Sequence, residues 1–394
     1  MLAVYLAGVA VAINQFKVPP VMQILMSDLH VDMMTGGWLM SSFAVAGVVL
    51  GLPAALVLAR LGPKPAGLLA LSATLLGSLL GTFAPTSALL LIGRAVEGIG
   101  LGLISVVAPA VISQWFPPAE RGLPMGIWAS WVPVGSFLVL NLARPLQAAF
   151  GWQSVWWFGT ACAAVALLIY AALVSAPPAA APSAGAPAGA VPFGRWLWSP
   201  ASWLLALMFA TFTFAFSGYS TWAPTYLSAA LGLDPQTANF DASLPSLAVI
   251  PAALAAGWVL DRTRQRKWVA AAALGVCGVL LWWGFRLPAE AVVAPYFLVL
   301  GAIAGFIPTT AFTLAPETMP RPELAGLALG ILSVGQNLGA VLGAPVIARL
   351  IADGRWEAGA LPVVGALLLG LVAILFLNLP PAPRPEPAVD APAA

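Results

Sequence analysis

An all-α membrane protein, with twelve transmembrane helices in two six-helix halves, is the fold class this sequence predicts. Three observations carry it. About twelve apolar stretches occur, most near the roughly 20 residues a helix needs to cross a bilayer core. Charged residues make up 8% of the 394-residue chain and mean hydropathy is +0.96, whereas an ordinary soluble domain spends about 25% of its residues on charge. The stretches form two sets of six around a Pro/Ala-rich break, and the sets repeat each other weakly. Helices are expected because unpaired backbone groups do not face lipid. The short alternating segments of a β-barrel do not occur in the sequence.

The expected spans are 3–26, 37–58, 66–84, 87–112, 122–143 and 152–174, then 201–229, 244–260, 268–285, 291–315, 324–348 and 358–378. The first carries Lys17 and a Pro19–Pro20 pair that removes two backbone donors, so a kink is expected there. Stretches 33–59, 122–143, 268–285, 291–316, 324–348 and 358–383 hold no charged side chain. The fourth span holds Arg94 and Glu97. Residues 175–192, SAPPAAAPSAGAPAGAVP, offer no apolar face and read as a flexible linker, as does the tail PPAPRPEPAVDAPAA. The expected organisation is therefore a bundle over 1–174, a cytoplasmic linker over 175–200, a second bundle over 201–379 and a cytoplasmic tail over 380–394.

The repeat relates LVLAR at 56–60 to WVLDR at 258–262, Gly122, Gly126 and Gly135 to Gly326, Gly330 and Gly339, and Pro20 to Pro224. An even number of spans per repeat keeps both copies in one orientation, with a central path between them. Ten of the sixteen basic residues fall in even-numbered connections and the tail. The positive-inside rule then puts both termini in the cytoplasm of a cell with a bacterial-type plasma (inner) membrane. The first span lacks a basic leader region and a small-residue cleavage pattern, so it is expected to be retained. The clusters read as topology signals; a nucleic-acid partner would need a broader basic face. Cys162 and Cys277 lie in spans without zinc-ligand neighbours and read as packing residues. No metal, cofactor or nucleophile–base set is indicated, so the chain is not expected to be an enzyme.

LLIGRAVEGIGLG at 90–102 resembles the fourth-helix motif of the major facilitator superfamily of secondary transporters, an Arg followed by Gly-x-Gly-x-Gly. Arg94, Gly98, Gly100 and Gly102 match, and Glu97 stands where many members carry Gln or another polar residue. GWVLDRTRQRK at 257–267 is similar to the family's loop motif through Gly257, Asp261, Arg262, Arg266 and Lys267. Its first-half copy, ALVLARLGPK, keeps Arg60, Gly62 and Lys64 but has Ala59 in place of the acid. FPPAERGLPMG at 116–126 resembles a common lead into the fifth helix, which reads WVPVGSF and lacks the Gly-Pro-x-x-Gly-Gly of many drug/proton antiporters. The start NQFKVPPVMQILMSDLHV is similar to the cyanate-permease-like group, whose members are assigned to small anions and nitroimidazoles. The resemblance spans about residues 1–380. It implies proton coupling, rocker-switch alternating access, and gating by Asp261, Arg262 and Arg60, with Asp261 carrying more of the gate because Ala59 has no charge.

Lys17, Arg94 and Glu97 are the charges placed deep in the apolar matrix. Three roles stand open for Lys17: contact with an anionic solute, a structural pair, or snorkelling to the interface. No acid precedes Asp28 in the chain, so Lys17 is expected to lack a local partner; Asn14 and Gln15 would share its kink. Arg94 and Glu97, three apart, are either a buried pair that fixes packing or an anion ligand beside a proton carrier. Tyr219, Thr221 and Trp222 match Gln15, Lys17 and Val18 across the repeat and read as donors to an anion or as interface aromatics. Gln336 and Asn337 are expected to face the path or another helix, and Trp128 and Trp131 the cavity or lipid. Glycines 98, 100 and 102 read as close packing.

The expected function is secondary transport of a small organic or inorganic anion, by proton-coupled symport, in a monomer whose partners are the anion, a proton and the bilayer. Drug or metabolite export by proton antiport, and uniport or exchange, are the alternatives.

Overall fold

The structure, a computed structural model, describes residues 1–51, 53–115, 122–174, 196–263, 265–320 and 324–378. Every regular element among them is helical. The linker at 175–195, the lead into the fifth span at 116–121 and the tail at 380–394 lie outside the described residues.

The first span is broken where the two prolines stand. Helix α1 (Leu2–Phe16) stops before Lys17, a 3-10 turn follows at Pro19–Val21, and α2 (Met22–Asp28) resumes the path. Asp32 then caps α3 (Met33–Leu50), its carboxylate accepting from Thr35 N–H at 2.8 Å. That bond holds the exposed Asp32 carboxyl below its ordinary range. The rest of the first half is α4 (Pro53–Leu61), α5 (Pro63–Thr82), α6 (Ser87–Trp115), α7 (Gly122–Ala129), α8 (Trp131–Phe150) and α9 (Gln153–Leu173). The second half comprises α10 (Pro200–Ala229), α11 (Pro235–Arg262), α12 (Lys267–Trp283), α13 (Val293–Ala304), α14 (Phe306–Leu314), α15 (Ala325–Ile351) and α16 (Ala360–Leu375). Pro224, the repeat partner of Pro20, is alone in its stretch, and α10 runs through it unbroken.

Among the described residues, ten helical spans are long and apolar enough to cross a membrane. Two expected stretches are not among them. Stretch 122–143 is shared between α7 and α8, and stretch 268–285 forms α12, which has 17 residues. The outside of the bundle is apolar as well: Leu168, Leu254 and Val279 are 70%, 71% and 65% exposed. Such a surface suits lipid rather than water.

The halves meet along two seams, α3 against α15 and α8 against α11. Toward the face opposite Met1, the second seam is hydrogen-bonded. Ser136 and Ser246 hydroxyls lie 2.8 Å apart, Asn141 Nδ2 donates to Ser243 Oγ at 3.1 Å, and Gln236 Nε2 donates to the Asn141 carbonyl at 3.2 Å. At the Met1 face, α1, α6 and α9 border an open apolar cavity of about 220 Å³ lined by Met1, Val4, Ile112, Trp115 and Leu173.

Candidate functional site

Because α1 stops at the double proline, its last turn presents side chain and carbonyls together to α5, α6 and α9. Lys17 follows α1 directly and is fully buried. Its three N–H donors all find acceptors: Glu97 Oε1 at 2.6 Å, Asn14 Oδ1 at 2.8 Å and Ser78 Oγ at 2.9 Å. The ammonium also lies 4.8 Å from the centre of the Trp156 ring. The expectation that Lys17 lacks an acidic partner is therefore corrected. The acid comes from α6, eighty residues on, and adjacency along the chain did not reveal it.

Arg94 is the second cation on the same carboxylate. Its Nη1 donates to Glu97 Oε2 at 2.6 Å and to the Asn14 carbonyl, Nη2 to the Gln15 carbonyl at 2.8 Å, and Nε to the Leu39 carbonyl at 2.9 Å. The guanidinium sits 4.6 Å from the Phe43 ring centre. The helix break frees the Asn14 and Gln15 carbonyls from α-helical pairing, and Arg94 satisfies them. The planar fork thus ties α6 to α1 and α3 at once.

Glu97 takes one cation on each oxygen, and Lys17, Arg94 and Glu97 are each 0% exposed. With all three ionised, the cluster carries two positive charges and one negative, a net +1 in an apolar interior.

Ser78 and Thr160 extend the network, and neither was singled out in the sequence. Thr160 Oγ1 donates to Ser78 Oγ at 2.9 Å, and Ser78 Oγ donates to the Trp156 carbonyl at 3.1 Å. Isolated hydroxyl residues in apolar spans carry little signal, since most only bond their own helix, as Thr74 and Thr82 do here. Asn14 Nδ2 donates to the Ala10 and Gly159 carbonyls at 2.9 and 3.0 Å, which pins α1 to α9. Among the described residues, three buried polar atoms have no hydrogen-bond partner: Gln15 Oε1, Trp156 Nε1 and Ser42 Oγ, on residues that belong to this network or, for Ser42, adjoin Phe43.

The second-half candidates lie elsewhere. Tyr219 donates to the Gly284 carbonyl at 3.2 Å within a cluster of Phe285, Tyr296 and Phe297 rings. Trp222 Nε1 donates to the Ala344 carbonyl at 3.0 Å, and Thr221 Oγ1 bonds its own helix at Ser217. Among the described residues no hydrogen bond joins these three to the ion cluster. Asn337 Nδ2 bonds the Ser333 carbonyl at 2.9 Å, and its side chain packs on Gly47 of α3, so it faces another helix across the seam. Gln336 is half-buried, and its carbonyl accepts from Thr213. Trp128 and Trp131 stack at 5.1 Å, both buried, and pack on Gly8 of α1, so they belong to the core rather than to lipid.

At the Met1 face, Arg60 is exposed, and so is Arg262, whose guanidinium lies over the Trp258 ring at 4.0 Å. The side chain of Asp261 lies outside the described residues. Among the described residues, Glu317 is the acid that pairs with this basic loop, through Arg266. Glu317 sits beyond α14 and was not singled out from the sequence.

The profile of the Major Facilitator Superfamily matches residues 4–326. The chain belongs to this superfamily. It is therefore a membrane transporter and not an enzyme. Over 369 residues it is 24% identical to the uncharacterized transporter YycB of Bacillus subtilis (strain 168), covering 91% of this chain and 87% of that protein. It is 25% identical to human (Homo sapiens) sialin over 382 residues, covering 87% of this chain and 76% of sialin. A solved D-xylose-proton symporter shares the fold with a TM-score of 0.73 at 16% identity, covering 95% of this chain and 96% of that one.

Proposed function

We propose that this transporter moves a small organic or inorganic anion with a proton, by alternating access between two six-helix halves. The observation that carries the reading is the net +1 of the buried Lys17–Glu97–Arg94 cluster. An unbalanced charge in a low-dielectric interior creates an attractive field for a negative solute and repels a cation. Gln15 Oε1, Ser42 Oγ and Trp156 Nε1, buried beside the cluster without partners, supply polar contacts that a solute can satisfy. Arg94 and Lys17 provide the field, Asn14 and Gln15 shape its edge, and Glu97 holds the cations together. Thr221, Trp222 and Gln336 belong to the opposite wall of the path.

With the termini cytoplasmic in a bacterial-type inner membrane, as the basic residues of the Met1 face support, the hydrogen-bonded α8–α11 seam closes the outer side. Asp261, Arg262 and Arg60 then sit at the cytoplasmic gate. The first-span sequence supports a cyanate-permease-like subgroup, and the chain acts as a monomer. The test is uptake by proteoliposomes of a panel of acetate, nitrate, cyanate and benzoate, with uridine and xylose as neutral controls. Wild type should accumulate at least one anion and Lys17→Met should lose most of that uptake. Equal uptake by both, or uptake of neutral solutes only, overturns the anion reading.

A further inference from the structure

We infer that the proton exchanged during transport is carried by the Lys17 amine, while Glu97 stays a carboxylate throughout. The assignment deepens the anion reading and rests on it for its purpose.

The argument is a charge count over the three groups. Arg94 keeps its charge in any protein environment. Each Glu97 oxygen accepts from a cation at 2.6 Å. Protonating Glu97 would replace an ion pair with a neutral contact and leave two cations without a counter-charge, raising the buried cluster from +1 to +2. Deprotonating Lys17 takes it from +1 to 0, leaving the Arg94–Glu97 pair balanced. With Arg94 fixed as a cation, it is the one proton exchange in the cluster that lowers the buried charge. The neighbours permit it. Ser78 Oγ, 2.9 Å from Nζ, can turn its hydroxyl proton from the Trp156 carbonyl to a neutral amine, and Asn14 Oδ1 can keep an amine N–H.

Among the described residues no other group competes. Of the helices packed on α1, α3 and α5 turn no charged or titratable side chain to Lys17, and α9 brings only Trp156 and Thr160. On α8, Arg144 donates to Gln147 and lines a small pocket with Pro19 and Pro20, and among the described residues no hydrogen bond or ion pair joins it to the Lys17 cluster. Glu97 and Arg94 of α6 are the charged groups that reach it.

The cycle then balances. On one side of the membrane the amine takes a proton from water to become an ammonium, the cluster becomes +1, and a monovalent anion enters. On the other side the anion leaves and the ammonium returns its proton to water. One proton travels with one anion and no net charge crosses.

The chain has three lysines, Lys17, Lys64 and Lys267. This makes a direct test possible without any solute. Wild-type protein labelled at lysine Cε is titrated in detergent micelles by carbon–proton NMR, with Lys64→Arg and Lys267→Arg assigning their two signals by loss. The third signal is expected to switch between ammonium and amine positions in one step, while the protein stays folded by tryptophan fluorescence. Glutamate Cδ labelling, assigned with Glu97→Asp, should show Glu97 ionised on both sides of that step. A Lys17 signal fixed as ammonium throughout, or protonation of Glu97 coincident with the step, overturns the assignment. Lack of anion uptake in proteoliposomes overturns the transport reading instead, so the two failures are distinguishable.

Discussion

In the first half, the helix that lines the centre is held by ions; in the second, its repeat partner is held by rings and bare backbone. Lys17 is bonded to three residues on three different helical segments, and Arg94 bonds three carbonyls besides Glu97. Thr221, the repeat partner of Lys17, bonds its own helix. There α10 is fixed by the Tyr219 ring cluster and by Gly218 against Gly343 of α15, where an added Cβ would stand 2.9 Å from the Gly343 carbonyl. The same topology has thus been given a charged device in one copy and an uncharged scaffold in the other. Charge-dependent behaviour should follow mutations in the first half, and mutations in the second should act through packing alone.

The largest effect should come from Glu97→Gln. It keeps shape but strands two buried cations, and breaking a buried pair in this way costs about 3–5 kcal/mol. Melting of the purified protein in detergent should fall sharply, and adding Lys17→Met should restore part of the loss because one stranded cation is gone. A double-mutant cycle with no coupling between the two positions would break the comparison on its charged side. Gly218→Val should come next. Its methyls meet Ile347 and the Gly343 backbone, and overpacking of this kind costs about 1–3 kcal/mol. The melting point should drop while the pH dependence of uptake keeps its wild-type shape. A shifted pH profile would show that the halves are electrically linked.

Much of this is legible in the sequence. The helical membrane class followed from charge content and stretch length, because bilayer thickness imposes both. The break at Pro19–Pro20 followed from two missing donors. Arg94 and Glu97 were visible as deep charges three residues apart. The union of Lys17 with Glu97 was not, since it joins α1 to α6, and a single sequence carries no record of contacts between helices. For the same reason Glu317 was missed as the partner of Arg266, and Ser78 looked like any helix hydroxyl. Trp128 and Trp131 fit cavity and lipid equally in the sequence, because periodicity shows a face but not what covers it.

The smallest and finest test concerns Tyr219. Its hydroxyl is buried and donates to the Gly284 carbonyl, and its ring stacks on Phe297 with centres 5.9 Å apart. Tyr219→Phe removes one hydrogen bond and leaves the ring packing intact, so the expected loss is about 0.5–1.5 kcal/mol in stability. Since the hydroxyl is committed to the protein, affinity for the transported anion should stay within about 2-fold of wild type, a difference under 0.5 kcal/mol. Isothermal titration with whichever anion the uptake panel selects, run beside a melting curve, separates the outcomes. A tenfold loss of affinity with unchanged melting would mean that the tyrosine leaves Gly284 to meet the solute in another conformation. The second half would then contribute chemistry as well as scaffold, and the division between the halves would hold only for the state seen here.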